Sequence, residues 1–269
     1  MARYQSIVAY DGTDYHGFQR QVEGLPTIQG VLEEALRRIG WQGDSLLAAG
    51  RTDAGVHARA QVIAFDHDWR HTIADLTAAL NDQLPGDVAV TRSQLAADGF
   101  HPRFDASSRL YRYRILMSEV PDPLRARFVW RRWSDVDLAW MQEAATGFIG
   151  RHDFGAFGQA PIEDGHTVRE IKTARWERVD DEHLFSIEAD AFLQHMVRRL
   201  VAALVQIGEG REDAQKVLKF LDRPEQRWEG NLAPACGLIL ERVNYDRKHE
   251  ITGNEIGSEA ASVESKRSE

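Results

Sequence analysis

Asp53 stands in the stretch AAGRTDAGVHARAQV, residues 48–62, among groups that no packing argument requires. A short apolar run at 45–49 precedes it and an alternating run at 61–65 follows, so the motif reads as a tight loop between two strands. Gly50 and Gly55 suit such a turn, and Asp53 itself would serve as a turn-capping acid. Turn formation leaves Arg51 unexplained. An arginine two residues from an aspartate on a rigid loop suits a carboxylate that must stay ionised beside a polyanionic substrate.

Two further segments carry groups of chemical interest. In RLYRYRI, residues 109–115, strand alternation puts Tyr111, Tyr113 and Ile115 on one face and Arg112 and Arg114 on the other. Tyrosines on that face would pack in a core; beside a nucleobase, one would stack on it and offer a hydroxyl. In QHMVRRLVAALVQI, residues 194–207, helical spacing gathers a broad apolar face with Arg198 at its edge and Arg199 directed away from it. A partly buried Arg198 needs an anionic partner, for which Asp53 is a candidate. Metal binding is not supported: His67 and His71 have no obvious third ligand, and the single cysteine, Cys236, excludes a cysteine-rich site. No phosphate-binding glycine loop or dinucleotide fingerprint occurs. GRHDFGAF, residues 150–157, reads as a structural loop pinned by Phe154 and Phe157.

The chain that must position these groups has 269 residues, 43% hydrophobic and 28% charged, the balance of a globular protein with a substantial core. The absence of a secretory leader or a long apolar span predicts a cytoplasmic protein. A net charge of -9 argues against non-specific nucleic-acid binding, but residues 101–133 hold eight arginines against three acids. Such a stripe either steers a polyanion or is paired with acids from elsewhere.

Periodicity predicts a strand over 3–10, a helix over 28–39 opened by Pro26 and Thr27, strands at 45–49 and 60–65, a helix over 73–84 and a strand at 87–96. A similar order then repeats: strand 109–117, helix 137–148, strands 168–179 and 183–192, helix 194–207 and strand 236–243. The expected class is α+β, with two α/β domains of antiparallel-rich sheets. The first, residues 1–103, carries the Asp53 loop; the second covers 104–245; residues 246–269 read as a disordered tail.

Read together, YDGTDYHGFQRQ, GRTDAGVHA, FHPRFDASSRLYRYRI, GRHDFGAF, FLQHMVRRLV and APACGLIL resemble, in that order, segments of the tRNA pseudouridine synthase A family. They spread from Tyr10 to Leu240. The resemblance implies the pseudouridine synthase fold with a catalytic cleft between two domains, and a homodimer that binds tRNA across both subunits. It implies isomerisation of uridine in the anticodon stem-loop, at tRNA position 38, 39 or 40, without a cofactor. Asp53 then matches the catalytic aspartate, Tyr111 the tyrosine that contacts the target base, Arg51 the arginine linked to nucleotide flipping, and Arg198 the basic residue paired with the aspartate. Arg109 and Arg112, in the basic segment, are expected to contact tRNA phosphates.

The chemistry accounts for so small a set of groups. Uridine becomes pseudouridine when the C1′–N1 bond breaks, the uracil rotates and C1′ bonds to C5, with no net redox change. One carboxylate, acting at C1′, at C6 or on a ribose proton, is enough. Two rivals lack the ordered segments: an RNA chaperone would use the basic stripe but not Asp53, and a hydrolase pairing Asp11 with Asp53 would act on small substrates.

Overall fold

Alternating residues at the N-terminus form β1 (Ala2–Tyr10), and Thr27 caps α1 (Ile28–Arg38) by accepting from the Gly30 N–H at 3.2 Å. β2 (Leu47–Ala48) and β3 (His57–His67) flank the Asp53 loop. α2 (Ile73–Gln83) follows, opened by a reciprocal cap between Thr72 and Asp75, and then β4 (Val88–Leu95). The second half runs β5 (Ala106–Met117), β6 (Trp130–Arg132), α3 (Leu138–Thr146), β7 (Gly150–Asp153), β8 (Val168–Val179), β9 (Glu182–Ala189), α4 (Met196–Gly208), α5 (Ala214–Leu218) and β10 (Leu238–Tyr245). The computed structural model describes residues 1–21, 24–134, 136–160 and 165–251.

The ten strands of the described residues join in one sheet, ordered β4-β1-β3-β10-β5-β9-β8-β7, with β2 added to β3 and β6 to β5. Most pairs are antiparallel; β3–β10 and β5–β6 are parallel. The fold is therefore α+β around a mostly antiparallel sheet. The expected boundary near residue 104 falls in the connection between β4 and β5. The strands of both halves nevertheless share one sheet, because β10 returns from the C-terminal side to lie between β3 and β5.

That insertion places the chemistry. Ile239 and Leu240 of β10 pair with His57 and Ala58 at the start of β3, and Leu240 also pairs with Tyr111 on β5. With neighbouring strands about 4.8 Å apart, the end of the Asp53 loop comes within two strand spacings of Tyr111. α2 packs on β4, while α3 packs on β8 and α4. No helix among the described residues is long and apolar enough to cross a membrane.

Three expectations need correction. Arg199 is buried rather than solvent-directed, and it donates to the Phe157 carbonyl at 3.1 Å. The helical wheel failed there because α4 is covered nearly all round, leaving only Arg198 and Gln206 partly exposed. The expected disorder from Asp246 does not hold for residues 246–251: His249 and Ile251 are buried, and the Gln5 side chain donates to the His249 carbonyl. Residues 252–269 lie outside the described residues. Finally, β6, β7 and α5 had no place in the periodic reading, since three to five residues are too few to establish a period. Residues 150–157 were expected to be a loop; Gly150–Asp153 instead pair as β7, while Phe154 and Phe157 are fully buried, as expected.

Candidate active site

The Asp53 loop is fixed from several sides. The Phe18 N–H donates to the Thr52 carbonyl at 3.0 Å, and the Tyr10 and Thr52 hydroxyls lie 2.9 Å apart. The Gln61 side chain donates to the Gly50 carbonyl, and the Val56 N–H to the Asp53 carbonyl. Gly17, at φ 91°, lets the loop after β1 come this close: a Cβ there would lie 2.9 Å from the Thr52 oxygen. Burial pushes the Tyr10 phenol up to about 12, so its hydroxyl remains a neutral bonding partner.

Asp53 and Arg198 meet. Arg198 Nη1 lies 3.2 Å from Asp53 Oδ2, while Nε donates to the Ala233 carbonyl at 2.8 Å. Their side chains are 14% and 21% exposed, so the pair is largely sheltered. A guanidinium anchored at both ends fixes the orientation of the carboxylate as well as its charge environment. Tyr111, buried and edge-on to Phe192 at 5.2 Å, lines the same cavity. Burial, together with the nearby Tyr10 and Asp53, raises its phenol well above the ordinary tyrosine range. At neutral pH it therefore acts as a hydroxyl and an aromatic face, not as a ready base.

His195 was missed in the sequence. Its Nε2 lies 3.7 Å from Asp53 Oδ2, and its backbone is left-handed at φ 64° at the entrance to α4. Non-glycine residues rarely hold that conformation. Burial lowers the imidazole below its ordinary value, against the pull of Asp53. The available signal was spacing: His195 and Arg198 are three apart, and at the start of a helix such residues share a face.

The cavity around these groups has a volume of about 710 Å³, within the roughly 300–1,000 Å³ usual for ligand sites. Asp53 is the one carboxylate among its described lining residues, against Arg51, Arg103, Arg109, Arg169 and Arg198. On a chain of net charge -9, this concentrates positive charge around a single acid. Arg51 is exposed at the cavity, and no acid among the described residues pairs with it.

The other arginines of the expected stripe are differently employed. Arg109 is buried and donates to the carbonyls of Ala49, Arg103, Ala106 and Asp190, so it ties loops together at the cavity wall. Arg112 lies off the cavity, 3.8 Å from Glu241. Arg114 pairs with Glu182, Arg125 with Asp122 and Asp181, Arg127 with Asp11 and Asp14, and Arg132 with Glu209. Local charge counting misses acids that arrive from distant strands, and pairing is the fate of much of this stripe. No cluster of metal-ligating side chains occurs among the described residues.

Comparison with known proteins gives this geometry a lineage. The family model described as tRNA pseudouridine synthase matches residues 7–105 and 144–246. The tRNA pseudouridine synthase A of Myxococcus xanthus is 40% identical over 246 residues, covering 91% of this chain and 92% of that protein. That of Halalkalibacterium halodurans is 39% identical over 91% of this chain and 93% of its own length. The chain belongs to the tRNA pseudouridine synthase A family. It is accordingly an isomerase of the pseudouridine synthase class. Within this synthase, Arg51 and Asp53 fall in the first matched range and His195 and Arg198 in the second. Tyr111, Arg109 and Arg112 lie between the two ranges, on β5.

Proposed function

We propose that this synthase converts uridine to pseudouridine in the anticodon stem-loop of tRNA, with Asp53 as the nucleophile and no cofactor. The observation that carries the reading is the sheltered Asp53–Arg198 pair, in which Asp53 is the sole carboxylate among the described residues of an arginine-lined cavity with Tyr111 beside it. A phosphate-bearing substrate suits that lining, and a single oriented carboxylate suits an isomerisation that needs no water or redox partner.

The target uridine must leave the base stack to reach Asp53, at a cost of a few kcal/mol. Arg51, exposed at the cavity mouth and free of acid partners among the described residues, takes the phosphate or the space the base vacates. Tyr111 receives the extruded uracil on its ring, recovering part of the unstacking cost. Asp53 then acts on the nucleotide. Attack at C1′, attack at C6 and removal of a ribose proton all ask for one carboxylate held in a fixed orientation, which Arg198 supplies. As C1′ bonds to C5, the C5 proton leaves and N1 gains one, so atoms and charge balance. The family resemblance is what supports the homodimer and the choice of tRNA arm.

The test is incubation of purified protein with unmodified tRNA transcripts, followed by derivatisation of pseudouridine and primer extension. Product confined to the anticodon arm, and lost with Asp53→Asn, supports the reading. Tight binding without product on any transcript would favour an RNA chaperone.

A further inference from the structure

Phe104 is 76% exposed, on a turn that is anything but loose. The His101 N–H donates to Asp105 Oδ2 at 2.8 Å, the Asp105 N–H to the His101 carbonyl at 3.1 Å, and the Arg103 N–H to His101 Nδ1 at 3.1 Å. Two buried side chains reach up from the core to the same turn. Arg109 donates to the Arg103 carbonyl at 2.7 Å, and the Tyr245 hydroxyl donates to the Pro102 carbonyl at 2.7 Å. His101 packs on the Phe104 ring with centroids 4.3 Å apart, and the Arg103 guanidinium sits 5.8 Å from the ring centre.

A single exposed apolar side chain is ordinary on a protein surface, but a ring fixed in place by its turn at the rim of a cavity is preorganised for a partner. Its place narrows the choice, since Phe104, Arg103 and His101 line the same cavity as Asp53 and Arg51. An aromatic face beside cations, next to a site for an extruded nucleotide, matches the pairing of stacking and charge that holds single-stranded nucleic acid. Because the turn is fixed before binding, little ordering cost offsets the contact.

We propose that the Phe104 turn is a stacking platform for an unpaired base flanking the uridine in the catalytic cavity, with Arg103 on that nucleotide's phosphate. The inference rests on tRNA being the substrate of this site. It also gives Arg109 a role distinct from phosphate contact: it is a positioning residue that holds the turn.

The test uses the full chain and an anticodon stem-loop RNA, with Phe104→Ala and Phe104→Trp each made in the wild-type and Asp53→Asn backgrounds. RNA affinity is read in the Asp53→Asn background and turnover in the wild type. Base stacking predicts that Phe104→Ala weakens RNA affinity about 5- to 150-fold, and that Phe104→Trp restores most of it. Abasic substitutions are then walked along the loop. At one flanking position the abasic RNA should bind the Ala and wild-type side chains equally, because the partner of the ring is gone. Affinity unchanged within twofold by Phe104→Ala, or a loss that persists at every abasic position, overturns the platform. So does a change in oligomeric state on sizing, which would assign the ring to a subunit contact. Absence of turnover by the wild type, with the Phe104-dependent binding intact, would overturn the isomerase assignment for this RNA and leave the platform standing.

Discussion

Replacing Arg198 with methionine tests how much the reaction depends on an oriented Asp53. At 3.2 Å and an effective dielectric of about 20, the gross attraction between the two charges is about 5 kcal/mol. Desolvation offsets much of it, and hydrogen bonds to charged groups contribute roughly 1.5–3 kcal/mol net. Methionine keeps the apolar stem but removes both the bond to Asp53 and the bond to the Ala233 carbonyl. The turnover rate should fall about 10- to 150-fold, with tRNA affinity changing much less. Lysine at this position keeps the charge, but one ammonium cannot match the two-point anchoring of a guanidinium, so its rate should fall between the other two. The assay follows from the chemistry: tRNA labelled with tritium at uridine C5 releases label to water as the new bond forms, and single-turnover release reports the step directly. A methionine variant that folds normally and releases tritium within threefold of the wild-type rate would refute the claim that Arg198 positions Asp53.

The other expectations concern the scaffold. Arg109→Ala strands four carbonyls at the cavity wall and should lower unfolding stability by about 2–4 kcal/mol in a denaturant titration; unchanged stability with a selective loss of tRNA binding would make Arg109 a substrate contact instead. Gly17→Ala drives a Cβ toward the Thr52 oxygen at a positive φ, so activity should drop at least tenfold as the Asp53 loop shifts, a result that equal kcat would contradict. Burial lowers the imidazoles of His57, His67 and His195, so below about pH 6.5 the unfolded chain binds protons that the folded one does not. Stability is then fully present above that value and lost as pH falls through the folded values. The thermal midpoint should be lower at pH 5 than at pH 7.5, and an equal or higher midpoint at pH 5 would count against the buried-neutral histidines.

Much of the site was legible because its information is local. The glycine-bracketed Asp53 loop lies between recognisable strands, alternation put Tyr111 inward, and helical spacing put Arg198 at the edge of α4, where it meets Asp53. Features that depend on distant partners were not legible. Arg199 is buried because α4 is covered nearly all round, which no helical wheel can foresee. For the arginines of β5 and the loop after it, charge alone left open an RNA-facing stripe or pairing with acids elsewhere, and only the fold shows acids such as Glu182, Asp181 and Glu209 taking up most of them. The insertion of β10 between β3 and β5 joins two sequence halves in one sheet, and it too depends on pairing between residues far apart in the chain. His195 occupied readable territory, three residues before Arg198, but its relevance comes from the contact with Asp53.

Whether Asp53 performs the isomerisation is decided by comparing Asp53→Asn with wild type on C5-tritiated tRNA while measuring affinity for the same RNA. The variant should bind tRNA with near wild-type affinity and release no tritium. Release at a wild-type rate by Asp53→Asn, or loss of tRNA binding in a variant that folds normally, would contradict it.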